Sequence, residues 1–200
     1  MLISFEGIDG SGKSTQIEFL RKRLKEAGHT VRVFREPGGS EISERIRSIL
    51  LDANQKINPV TELLLFSAAR SQLVAEKVIP LLEEGTVVIL DRFYDSTTAY
   101  QGYGRESVPI DYINEINTIA SHQREPNLTF YMRLSVEQAE KRTAQKEKDR
   151  MERSGKDFYQ KVVEGFDKLA ESEKRFITLD AEKPKEIIQD QIWDHVSALL

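Results

Sequence analysis

Gly7-Ile8-Asp9-Gly10-Ser11-Gly12-Lys13-Ser14 matches the pattern G-x-x-x-x-G-K-[ST], and its flanks settle how it folds. Upstream, Leu2-Ile3-Ser4-Phe5 reads as a short buried strand. Downstream, Ile17, Leu20, Leu24 and Ala27 recur at helical spacing until Gly28 stops the helix. Strand, glycine-rich loop and helix in that order make a cradle in which backbone N–H groups and a helix N-terminus point at a phosphate chain. In such a loop Lys13 bridges the terminal phosphates and the Ser14 hydroxyl holds Mg²⁺.

Outward from the loop, strands and helices alternate. A strand at Thr30 to Phe34 leads into the rigid turn Arg35-Glu36-Pro37-Gly38-Gly39. Helices follow around Glu41 to Leu51 and from about Val60 to Leu82, the second closed by Gly85. Thr86 to Leu90 is an unbroken apolar strand, the signature of the middle of a parallel sheet. Pro109 opens a helix through Ile113, Ile116 and Ile119. Asn127 to Leu134 is strand-like, Ser135 with Gln138 makes a capping box, and Phe176 to Leu179 is a last strand. Pro184 starts a terminal helix with Ile188, Ile192, Val196 and Leu199 on one stripe. The pattern predicts an α/β three-layer sandwich, a five-stranded parallel sheet with helices on both faces, in a single domain over residues 1–200.

The chain has 200 residues, 39% apolar and 31% charged, with net charge −4 and no cysteine. No apolar run approaches the ~20 residues that span a bilayer, and the N-terminus enters a strand with no leader-like segment. Without cysteine there is no disulfide, thiolate metal site or Cys nucleophile, which suits a cytoplasmic protein. An acidic chain has no global field for nucleic acid. Its local basic stretches are Arg21-Lys22-Arg23 with Lys25, a solvated helix face, and Lys141 to Lys156.

Ligands of open parallel sheets bind at the carboxyl ends of the strands, which gathers the glycine loop, Arg35 to Gly39 and Asp91-Arg92 around one crevice. An Asp closing an apolar strand orders Mg²⁺ or its waters, and a neighbouring Arg clamps phosphate oxygens bidentately. Phe66 and Arg70 project from one helix face and together suit a flat base with hydrogen-bonding edges; Phe66 alone reads as core. Tyr94 to Arg105 is expected as a loop of hydroxyls, an amide and rings, either a recognition surface or a capped surface turn.

In order and spacing, Phe5-Glu6 with the glycine loop, Arg35 to Gly39, Phe66 with Arg70, Asp91-Arg92-Phe93, Ser96 to Gly102 and Asp149-Arg150-Met151-Glu152 resemble the thymidylate kinase family over nearly the whole length. The resemblance implies transfer of the γ-phosphoryl of ATP–Mg²⁺ to dTMP, giving dTDP and ADP. It implies that Gly7, Ile8, Asp9, Gly10, Ser11, Gly12, Lys13, Ser14 and Thr15 bind ATP, with Ser14 and Asp91 at the metal. It assigns Asp9 to the deoxyribose 3′-hydroxyl and Arg92 to the dTMP phosphate, with Arg35 in support. Phe66 stacks on thymine beside Pro37, Arg70 donates to a base carbonyl, and Thr97 and Gln101 read the base edge. Tyr100 disfavours a ribose 2′-hydroxyl.

The same resemblance makes residues 142–152 a lid over ATP. Some members carry an Arg where this chain has Gly10, so the assisting cation is expected from the lid: Arg142 and Lys146 foremost, with Lys148 and Arg150 as further candidates. Arg133 stands where related sequences usually show Asp, either near the nucleotide or facing solvent. A homodimer through the long apolar helix is also implied; Leu63 to Leu65 and Leu73 to Val78 offer more apolar surface than one stripe needs, which either a partner or burial inside one subunit would explain. The rival readings are a P-loop kinase for another pyrimidine nucleotide or nucleoside, a GTP switch, and a nucleic-acid-dependent ATPase. The second lacks a guanine-reading N-K-x-D motif, and the third lacks an Asp-Glu pair after the third strand.

Overall fold

The computed structural model describes residues 1–145, 147 and 149–200. Strand β1 (Leu2–Glu6) lies at the centre of a parallel sheet of order β2-β3-β1-β4-β5. Helix α1 (Lys13–Glu26) follows it, then β2 (Val31–Arg35), α2 (Glu41–Leu51) and α3 (Pro59–Leu73). The chain continues through a π-helical turn (Val74–Val78) into α4 (Ile79–Glu83) and β3 (Val87–Asp91). Caps set the helix starts as the sequence dictates. The Ser40 hydroxyl accepts from Ser43 N, and the Asn58 side chain from Val60 N with Pro59 in the first turn.

The sheet buries both faces because its strands alternate between two cores. Ile3, Phe5, Val87 and Ile89 pack with Ile17, Leu20 and Leu24 of α1 and with Ile188, Ile192 and Val196 of α9 (Lys185–Ser197). Leu2, Val88 and Leu90 pack with Leu73, Val74 and Val78. The last three are wholly buried within the chain, as is Leu63, so most of the surface expected to be surplus is core. Leu64, 53% exposed, and Ala75 face outward, and Leu65 is half-buried.

Two other expectations, for Tyr94 to Arg105 and for Leu199, are corrected. Tyr94 to Arg105 is not a surface loop: α5 (Tyr94–Thr97) runs into a second π-helical segment, Thr98–Gly104, whose first five residues are buried. A buried chain must satisfy its own amides and carbonyls, so helical hydrogen bonding prevails there over the glycines and polar side chains. In α6 (Ile110–Ala120) the inward face is Ile113, Asn117 and Ala120, while Ile119 is 75% exposed. Leu199 lies beyond α9 and is half exposed. After β4 (Leu128–Arg133) and α7 (Val136–Thr143) comes a helix with no counterpart in the sequence-based prediction, α8 (Lys156–Ser172), followed by β5 (Phe176–Asp180). Its apolar stripe of Phe158, Val162 and Phe166 covers the π-helical segment and the sheet edge.

Candidate active site

The carboxyl ends of β1, β2 and β3 lie side by side, with Asp91 in register with Phe5 on one side and Arg35 on the other. Two cavities open above them. The first is walled by the glycine loop from Gly10 to Thr15 with Arg35, Asp91 and Arg142. The second is walled by Pro37, Phe66, Arg70, Thr97, Tyr100 and Gln101. Asp9, Glu36, Arg47 and Arg92 line both, so the cavities share one partition.

On the first side, Lys13 Nζ donates to its own loop, 2.9 Å to the Gly7 carbonyl and 3.1 Å to that of Ile8. Burial, and then repulsion by the Arg92 guanidinium, lower its pKa to about 8, against the attraction of Asp9, Asp91 and Glu6. Ser14 Oγ donates to Asp91 Oδ2 at 3.1 Å. Two hard oxygens this close suit Mg²⁺ that keeps most of its ligands as water and phosphate. Among the described residues no group of three or more carboxylates, histidines or cysteines could cage a metal without that help. Gly10 has a local reason to lack a side chain: at φ 82° its Cβ would stand 3.1 Å from Thr143 Cγ2.

The partition is built on an unusual backbone. Arg92 is a non-glycine residue at φ 72°, a conformation that costs about 1–3 kcal/mol and needs support. Arg92 N donates to the Phe5 carbonyl at 2.9 Å, and Phe93 N to Glu6 Oε1 at 2.7 Å. Ser96 Oγ donates to Glu6 Oε2 at 2.5 Å and accepts from Arg92 Nη1 at 3.2 Å. Arg92 Nη2 reaches Asp9 Oδ1 at 3.0 Å, and the guanidinium lies 5.1 Å from the Tyr100 ring centre. Glu6 itself is wholly buried. Desolvation, with the Asp95 charge adding to it, raises its pKa to about 8.

On the second side, Arg70 is 2% exposed and donates to Glu36 Oε2 (2.7 Å), Asn117 Oδ1 (3.4 Å) and the Phe93 carbonyl (3.2 Å). Two of its five N–H groups take no partner among the described residues. Glu36 Oε1 and the Tyr100 hydroxyl are buried and equally unpartnered among those residues. Buried polar atoms without partners at a cavity wall are costly unless a ligand completes them. Burial raises the Glu36 pKa in spite of Arg70.

Several predicted residues have other engagements. Arg35 is half exposed and paired with Glu44 at 3.2 Å. Arg142 donates to the Gly10 carbonyl (3.2 Å) and the Ala181 carbonyl (2.9 Å), tying α7 to the glycine loop. Arg150 is committed to the Leu50 carbonyl (2.7 Å) and Glu62, away from the first cavity. Lys146 and Lys148 lie outside the described residues. Arg133 faces outward in a two-point pair with Asp167, at 2.8 and 2.9 Å. Two residues of the partition have no predicted role: Glu36, and Arg47, which donates to the Pro37 carbonyl at 2.8 Å. Glu36 sits inside a quoted motif and was within reach of sequence reasoning. Arg47 carries no local signal, because only the fold of α2 turns it into the crevice.

A phosphate-cradling loop on a parallel sheet, sharing a partition of two arginines and two carboxylates with a second cavity, defines a P-loop phosphotransferase. Residues 5–192 match the family described as Thymidylate kinase. Similar chains include the thymidylate kinase of Thermoanaerobacter sp. (strain X514), 46% identical over 99% of this chain and 98% of that one. The thymidylate kinases of Chlorobaculum parvum and Chlorobaculum tepidum are 47% and 48% identical over the whole of this chain, covering 96% and 98% of theirs. The protein belongs to the thymidylate kinase family.

Proposed function

We propose that the protein phosphorylates dTMP to dTDP with ATP–Mg²⁺, the donor in the first cavity and the acceptor in the second. The observation that carries this is the shared partition. Asp9 and Arg92 line both cavities, which supports a γ-phosphoryl group meeting an acceptor phosphate beside them by one in-line displacement with no covalent enzyme intermediate. An oxygen of the dTMP phosphate attacks the γ-phosphorus, the bond to the bridging oxygen breaks, and ADP leaves with that electron pair.

Each residue then has a task. The amides of Gly7 to Thr15 hold the donor phosphates, and Lys13 swings from its loop carbonyls to the terminal ones. Ser14 and Asp91 would hold Mg²⁺ or its waters, and the bound ion would neutralise charge between donor oxygens. Arg92 grips the acceptor phosphate, with Arg47 and Arg35 adding positive charge beside it. Asp9 orients Arg92 and accepts from the deoxyribose 3′-hydroxyl. Phe66 stacks on the base beside Pro37, while Arg70, Thr97 and Gln101 read its edge. The Tyr100 ring fills the space a 2′-hydroxyl would need. Arg142 steadies the glycine loop, and Lys146 supplies the lid's assisting cation, within a lid of residues 142–152 on a single domain.

None of the described helices is long and apolar enough to cross a membrane. A homodimer through α2, α3 and α6 is supported by exposed apolar pairs at helical spacing, Ile42 with Ile49, Val60 with Leu64 and Tyr112 with Ile119. The test of the function is coupled ADP release across dTMP, dUMP, UMP, CMP and AMP. Turnover should be fastest with dTMP; a preference for AMP or CMP would overturn the assignment.

A further inference from the structure

We propose that Glu62 sets the base selectivity of the acceptor cavity by fixing which end of the Gln101 amide faces the base. This rests on reading that cavity as the dTMP site. Glu62 is 1% exposed and precedes Phe66 and Arg70 by one and two intervals of four on α3, so all three share a helix face. Its Oε1 accepts from Gln101 Nε2 at 3.0 Å and from Arg105 Nε at 3.2 Å, and its Oε2 accepts from Arg150 Nη1 at 2.5 Å.

A carboxylate facing two guanidiniums can only accept. Gln101 therefore has to turn its nitrogen toward Glu62. Its Oε1, which takes no partner among the described residues, is left for the cavity that Gln101 lines. Arg70 brings spare donors to the same cavity. An arginine donor together with an amide acceptor complements thymine, whose O4 accepts and whose N3–H donates. Cytosine reverses both, offering an N4 amino group and a bare N3. Without Glu62 the amide can rotate and offer its nitrogen to a cytosine N3, and the mismatch that excludes cytosine disappears.

Glu62 lies one side chain behind Gln101 and is a positioning residue. It also anchors the cavity from behind. Arg105 continues to Ser154 Oγ at 2.7 Å, and Arg150 to the Leu50 carbonyl. A purely structural Glu62 would thus lower activity on every acceptor alike. Selectivity separates the two roles.

The experiment measures kcat/KM for dTMP and dCMP in the wild type, Glu62→Gln, Glu62→Asp, Gln101→Leu and Glu62→Gln/Gln101→Leu. Glu62→Asp keeps the charge between Arg105 and Arg150 while withdrawing it from Gln101, so it retains the fold if Glu62→Gln does not. In both Glu62 variants the dTMP-to-dCMP ratio should fall about ten- to a hundredfold, through KM rather than kcat. Gln101→Leu should lower it similarly, and the double variant no further. A wild-type ratio in the Glu62 variants, whatever their stability, overturns the inference. So does a wild-type ratio in Gln101→Leu. A wild type without preference for dTMP over dCMP would instead bring down the reading of the site itself.

Discussion

Burial and then the Arg92 guanidinium push the Lys13 pKa down to about 8, so the loop lysine of the free protein titrates near neutrality. Donor phosphates arriving beside it favour its charged form and raise that pKa again. Binding must therefore take up a proton at any pH between about 8 and the value in the complex. ATP affinity should fall as pH rises across that interval, by up to about tenfold per unit. Calorimetric titration at pH 9 in two buffers of different ionisation enthalpy should show uptake approaching one proton, and none with Lys13→Met. Absence of uptake in the wild type would mean that Lys13 is already charged. The sign for folding is separate. The folded pKa lies below the unfolded 10.5, so the unfolded chain holds more protons between about 8 and 10.5, and this residue's contribution to stability rises with pH there.

At the scale of elements, the contact of α8 with the π-helical segment Thr98–Gly104 shapes the second cavity, which Tyr100 and Gln101 of that segment line. A Cβ on Gly104 would stand 2.6 Å from Phe158 Cε2 and 2.8 Å from Val162 Cγ2, and one on Gly165 would stand 2.6 Å from Tyr103 Cδ2. Phe158 and Val162 are packed in the core and cannot yield cheaply. Gly104→Ala should cost about 1–3 kcal/mol by overpacking, a fall in Tm of roughly 2–10 °C. Because the same segment carries Tyr100 and Gln101, the KM for dTMP should rise while that for ATP holds. An unchanged melt would show the helices free to part. The contact also marks where legibility ends. The glycine loop is readable because one short pattern and its two flanks lie together in the chain. Thr97 and Gln101 are readable as residues, but the helical state of their segment comes from burial under α8, which a local window does not contain. The start of α8 is masked in sequence by the charged run before it. Glu62 has a local signal in its spacing to Phe66 and Arg70, but an acid on a helix reads as solvated until Arg105 and Arg150 are seen to close over it.

For the whole molecule the open matter is the face left by α2, α3 and α6. Each of these helices presents two apolar side chains at intervals of four or seven, and α3 packs between the other two. The Leu64 side chain is about half exposed, so within one subunit Leu64→Arg disturbs nothing buried and should change stability by no more than about 0.5 kcal/mol. Across a two-fold interface it would bury a charge without a partner, and the dimer dissociation constant should rise at least about a hundredfold. Sedimentation velocity over a concentration series reads this directly. A dimer that survives the substitution would place the interface elsewhere, and a wild type that stays monomeric at high concentration would remove it. The catalytic consequence follows from α3 itself. Its inner face carries Glu62, Phe66 and Arg70, and a partner pressed on its outer face would brace the acceptor cavity. In the monomeric variant the KM for dTMP should therefore rise more than that for ATP, and equal changes in both would break the link between assembly and the acceptor site.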